Sequence, residues 1–153
     1  MKKFLMTIGA MFLALLGVVV ITVVYAMYSG NALDVSSKAF VLSSLATMSH
    51  HWEPSEISSI ASPELKKTME AQPEQVRETF RELSTLGELI NAQSITGGAY
   101  VKLNIGDSTV TTASYNGHAD FKNGAANVSI CLLIVEGQWR INCVTIDKDV
   151  STI

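Results

Sequence analysis

Hydrophobic residues fall into three successive patterns along this chain of 153 residues. From Phe4 to Tyr28 they form an uncharged run of 25 residues directly behind Met1-Lys2-Lys3. From Asp34 to Leu86 they recur at helical spacing, and after Gly87 they alternate with polar residues. A period near 3.6 belongs to amphipathic helices and a period of two to half-buried strands, so helices come first and a sheet second. In the helical part Val41, Leu45, Met48 and Trp52 line one face, which predicts a helix from Asp34 to Trp52. Ser36 or Ser37 is expected to cap its start, and Pro54 to keep Glu53 out of it. Ser62-Pro63-Glu64-Leu65 carries a serine cap, a first-turn proline and an early glutamate, and predicts a second, short helix. Pro73 opens a longer one with Val76, Phe80, Leu83 and Leu86 on one side and Gly87 as its C-terminal cap. Its Glu74, Arg77, Glu78, Arg81 and Glu82 are expected to form a solvated face of i,i+3 and i,i+4 pairs.

The alternating part predicts strands over 89–96, 108–121, 125–135 and 138–146, with a fragment over 100–104. Asn123-Gly124 is the strongest hairpin signal, because a type I′ turn needs two residues that tolerate positive φ; Glu136-Gly137 is a weaker one. Two-residue turns at these sites would set Phe121 opposite Ala126, Ala119 opposite Val128 and Tyr115 opposite Leu132. They would also set Ile134 opposite Trp139, Leu132 opposite Ile141 and Ile130 opposite Cys143. The apolar faces then coincide, which leaves one continuous surface for the helices to cover. Gly117 is expected to bulge or bend the second long strand and curl the sheet. The fold class that follows is α+β, with helices packed on a curled antiparallel sheet of about four strands.

The apolar run changes the setting. A helix over residues 4–28 would be about 37 Å long at about 1.5 Å per residue, enough to span a bilayer core of about 30 Å with some tilt. A cleaved secretory signal is the competing reading, and Val24-Tyr25-Ala26 and Gly30-Asn31-Ala32 are loose matches to its cleavage pattern. An h-region is usually about 7 to 15 residues, which favours an uncleaved anchor. Lys2 and Lys3 on the short side place residues 1–3 in the cytoplasm and the body outside, with Tyr25 and Tyr28 suited to the headgroup layer. In a bacterium this is a single-pass inner-membrane protein with a linker at 29–33, a periplasmic domain over 34–147 and a tail over 148–153. Net charge is −3; without Lys2 and Lys3 the 11 basic residues become 9 against 14 acidic ones, a balance of −5. Such an acidic body is a poor match for nucleic acid or anionic lipid as the main partner, since both need a basic surface.

An amphipathic first helix, a Ser-Pro-Glu-Leu turn and a curled antiparallel meander together resemble the cystatin-like α+β group that includes the nuclear-transport-factor-2-like domains. Phe121-Lys122-Asn123-Gly124, the strand from Ala125 to Val135 and the ending Glu136-Gly137-Gln138-Trp139-Arg140-Ile141 carry the likeness best. Gly30-Asn31-Ala32-Leu33-Asp34 through Trp52, with Ala61-Ser62-Pro63-Glu64-Leu65, also resembles small membrane-anchored bacterial proteins of uncharacterised function. The resemblance implies a fold and little about activity, since such domains serve as enzymes, carriers and scaffolds.

Candidate chemistry is sparse. His50 and His51 are adjacent on a helix and point about 100° apart, so they do not form the i,i+4 pair that holds a metal ion, and no metal site or cofactor is expected. His118 and Asp120 share the face turned away from the core. An isomerase-like enzyme, as the resemblance allows, would need an acid beside a hydroxyl in the apolar concavity. Tyr115 is the one hydroxyl placed there, which makes it a ligand-pocket candidate or a core residue with a satisfied OH. A periplasmic setting favours a Cys131–Cys143 bridge, yet the two-residue-loop register puts Cys143 toward the core and Cys131 away from it, so unpaired thiols are preferred. A three-residue loop would set the two opposite each other. Leu133, Val135 and Val144 fall with Cys131 on the outer face, and an apolar patch there points to a partner surface. The function expected is a non-catalytic protein-interaction or assembly module working as a homodimer or on an envelope protein. A carrier of a small apolar ligand between helix and sheet is the alternative.

Overall fold

The structure, a computed structural model, describes residues 30–92, 94–103 and 109–149, with backbone only at 102, 103 and 109. The expected anchor at 4–28, the cytoplasmic end and the last four residues lie outside the described residues. Among the described residues no helix is long and apolar enough to cross a membrane. The described residues from Asp34 onward form one compact unit.

Helices come first, as the change of period requires: α1 over residues 30–51, α2 Pro54–Ile60, α3 Pro63–Ala71 and α4 Pro73–Ser84. All three prolines of the chain open a helix, where a fixed φ helps and the missing N–H has no intrahelical partner to lose. Ser62 caps α3 by accepting the Leu65 N–H at 3.1 Å. Helix α2 is additional to the sequence expectation; its proline and first-turn Glu56 carry the same start signal as α3 and α4. Residues 30–33, expected as a linker, are helical. Ser36 and Ser37 therefore lie inside α1 and cannot cap it. Trp52 ends α1 at a φ of 52°, a left-handed conformation costly for an aromatic residue. Its indole N–H donates to the Gly87 carbonyl at 2.9 Å and its ring packs 5.6 Å from that of Phe121, which holds it there.

The sheet comprises β1 Leu89–Asn91, β2 Thr96–Leu103, β3 Thr109–Phe121, β4 Gly124–Val135 and β5 Gln138–Lys148, all antiparallel. It therefore has five strands rather than about four. β1 and β2 share one edge of β3, β1 near Phe121 and β2 over 109–116, and β4 and β5 follow on the other side. Between β1 and β2 the chain plugs the core with Ala92 and Ile95. Gly117 is needed here: a Cβ would lie 2.6 Å from the Ile95 Cα. The β3–β4 ladder runs through Gly117 without a register shift, so this glycine serves close approach and not the expected bulge.

Register departs from expectation at two places. The first hairpin turns on Lys122 and Asn123, pairing Phe121 with Gly124, Ala119 with Ala126 and Tyr115 with Ile130. Neither turn residue has positive φ. Their N–H groups donate instead to the Glu88 and Leu86 carbonyls at 2.9 and 2.8 Å, so the segment after α4 sets the turn. The displacement is one step along each strand, which keeps every side chain on its expected face. Glu136-Gly137 is the turn with two positive φ values, 51° and 78°, and it gives the expected Ile134–Trp139 and Leu132–Ile141 pairs. Beyond them β5 is shifted: Cys131 pairs with Cys143 and Ile130 with Val144, leaving Asn142 as the extra residue. This bulge corrects two expectations. It brings both cysteines to the outer face, where they form a disulfide with Cα atoms 4.9 Å apart. It also turns Val144 and Ile146 inward, against the core.

The core lies between α1 and the concave face. Val41, Leu45 and Met48 meet Ala113, Tyr115, Ile130, Leu132 and Ile141, all at most 2 % exposed. Both sheet edges are protected in part. The Asp34 carboxylate accepts the Ala99 N–H at 2.6 Å on β2, and Ser62 N–H donates to the Ile141 carbonyl at 2.7 Å on β5.

Candidate functional site

Inside the concavity Tyr115 centres a polar cluster with α1. Its OH lies 2.7 Å from Ser37 Oγ and donates to the Asp34 carbonyl at 3.2 Å, while the residue is 1 % exposed. A hydroxyl satisfied twice and shut from solvent fastens the sheet to α1. It lines neither of the clefts beneath α4, and no carboxylate or imidazole is buried beside it among the described residues.

The histidines are surface groups. His50 pairs with Glu88 at 2.9 Å and His51 with Glu56 at 2.8 Å, so the two stacked rings use separate carboxylates on different elements. His118 projects from the outer face between Asp120 at 3.7 Å and Asp149 at 3.4 Å, and Asn127 donates to Asp149 at 3.0 Å. His118 and Asn127 border a shallow cleft of about 320 Å³ with Asn116, Ser129 and Asp147. No group of three or more metal-ligating residues occurs among the described residues.

The outer face is graded along its strands. At the His118 end it is polar. Toward the Glu136-Gly137 turn it becomes apolar: Tyr100, Thr112, Leu133 and Arg140 stand in one row across four strands, bounded by the Cys131–Cys143 disulfide on one side and Val135 on the other. Tyr100 is 62 % exposed, and Leu133 and Val135 are half-buried. Arg140 is held flat by bonds to the Ser59 carbonyl and Gln138 Oε1, both at 2.9 Å. Of the three expected partner-surface residues, the structure keeps Leu133 and Val135 together and moves Val144 to the opposite face. Sequence reasoning missed Tyr100, since the fragment at 100–104 had no assigned register.

A second apolar feature lies between helix and sheet, as the carrier alternative expected, but away from Tyr115. Helix α4 covers β5 incompletely, leaving two clefts of about 280 and 370 Å³ that share Ile57, Thr79, Phe80 and Val144. Lys148 of β5 donates to the Glu82 carbonyl and to Thr85 Oγ1, a cation on the last turn of α4.

Compared with known protein families, characterised proteins and solved structures, the chain matches none of them.

Proposed function

We propose that this protein is a membrane-tethered, non-catalytic interaction module that binds a protein partner through the outer face of its sheet. The row Tyr100–Thr112–Leu133–Arg140 carries the reading. Tyrosine and arginine around an aliphatic centre are the residue types that supply most binding energy at interfaces, and a rigid sheet presents them with little entropy to lose. Nothing comparable among the described residues favours catalysis: the Tyr115 hydroxyl is committed to Ser37 and Asp34, and the His118 ring faces carboxylates and an amide. The tether is the apolar run 4–28, which with Lys2 and Lys3 puts the domain on the periplasmic side of a bacterial inner membrane. The nuclear-transport-factor-2-like resemblance is part of this proposal as a fold relation only.

The simplest partner is a second copy, and an envelope protein is the other. Full-length protein in detergent should sediment as a dimer, or retain a co-purifying membrane protein. Leu133→Asp or Val135→Asp should weaken either association at least tenfold while the melting transition stays within a few degrees. Wild-type association in both variants would overturn the reading.

A further inference from the structure

The slot beneath α4 has a distinctive charge distribution. Val76 and Phe80 of the inward face are only half-buried, and of the residues lining the two clefts Asp147, at the β5 end, is the single charged one. At the opposite end the slot adjoins, through Met69 and Val76, a third cleft of about 260 Å³. There Lys66 and Arg77 stand with one acid, Glu70. Lys66 is half-buried and makes no ion pair among the described residues, whereas Arg77 holds Glu74 in an exposed pair at 3.0 Å. A lysine partly buried at the mouth of a cleft, its ammonium in no ion pair among the described residues, offers an anion a charged hydrogen-bond partner. An extended peptide fits less well. The edge of β5 is occupied at Ile141 by Ser62, and at its far end Lys148 is tied to α4. The slot-lining stretch between them, Val144 to Asp147, is roughly 13 Å of strand, shorter than common paired strands.

From this geometry we infer that the slot binds a single-chain amphiphile with an anionic head, its chain along Val76, Phe80 and Val144 and its head at Lys66 and Arg77. The site is separate from the row Tyr100–Thr112–Leu133–Arg140 and does not depend on the partner reading.

Trp52 lines the inner cleft, which supplies an optical test. In full-length Trp139→Phe protein in lipid nanodiscs, Trp52 is the only tryptophan, and the probes are ω-bromododecanoate and ω-bromododecanol. The carboxylate should quench Trp52 saturably and bind at least tenfold more tightly than the alcohol. Lys66→Glu should remove that preference and leave alcohol binding unchanged. Thr79→Phe, an exposed helix position that fills the slot without burying a charge, should abolish quenching by both while far-UV circular dichroism is retained. Unsaturable quenching, or quenching unaffected by Thr79→Phe, overturns the inference, as does equal affinity for the two probes.

Discussion

Single residues account for much of how this fold is held. Ser37, Tyr115 and the Asp34 carbonyl form a buried polar junction between α1 and the concave face. Tyr115→Phe should destabilise the domain by about 1–2 kcal/mol, because Ser37 and Asp34 lose a buried partner. Urea unfolding would measure it, and partner binding should be unchanged. Gly117→Ala should cost more, about 2–4 kcal/mol, since the new methyl meets main-chain atoms of Ser94 and Ile95 that cannot swing aside. The role of Tyr115 as an inward hydroxyl was legible in the alternation of β3. Its partner was not, because Ser37 was read as a cap: a helix start cannot be told from a helix interior when the residues before it carry no breaker.

At the scale of elements, helices α1, α3 and α4 and the three long strands were legible from period and punctuation alone. Two errors have identifiable causes. The Asn123-Gly124 signal was overridden by hydrogen bonds that the Lys122 and Asn123 N–H groups donate to the Glu88 and Leu86 carbonyls, contacts far away in sequence. The bulge at Asn142, in contrast, was written in the chain: apolar residues sit at Trp139 and Ile141, then at Val144 and Ile146, so the alternation changes phase between them. That phase change moves Val144 inward and aligns the cysteines, and reading it would have replaced two unpaired thiols with a disulfide. Because the phase lies in the apolar pattern, Cys131→Ser with Cys143→Ser should preserve the register while lowering stability by about 2–3 kcal/mol. Unfolding under non-reducing conditions measures the loss, and cross-strand amide contacts from Ile130 to Val144 in NMR spectra report the register.

For the whole molecule, the sequence separates an uncharged run of membrane-spanning length from an acidic α+β body whose concave face is filled by its own first helix. In the proposed reading, function falls outside that filled concavity, to the graded sheet face and the slot under α4. The outer face was legible as an apolar stripe on β4, but its centre became visible only when β2 was placed in register and Tyr100 joined the row. The account is tested most directly by placing a photoactivatable benzophenone residue at position 133 in full-length protein in its native membrane and irradiating. The prediction is one discrete protein adduct, a second copy or a single envelope protein, that is absent when the residue stands instead at exposed Lys67 on α3. No adduct from position 133, or the same adduct from both positions, would contradict it.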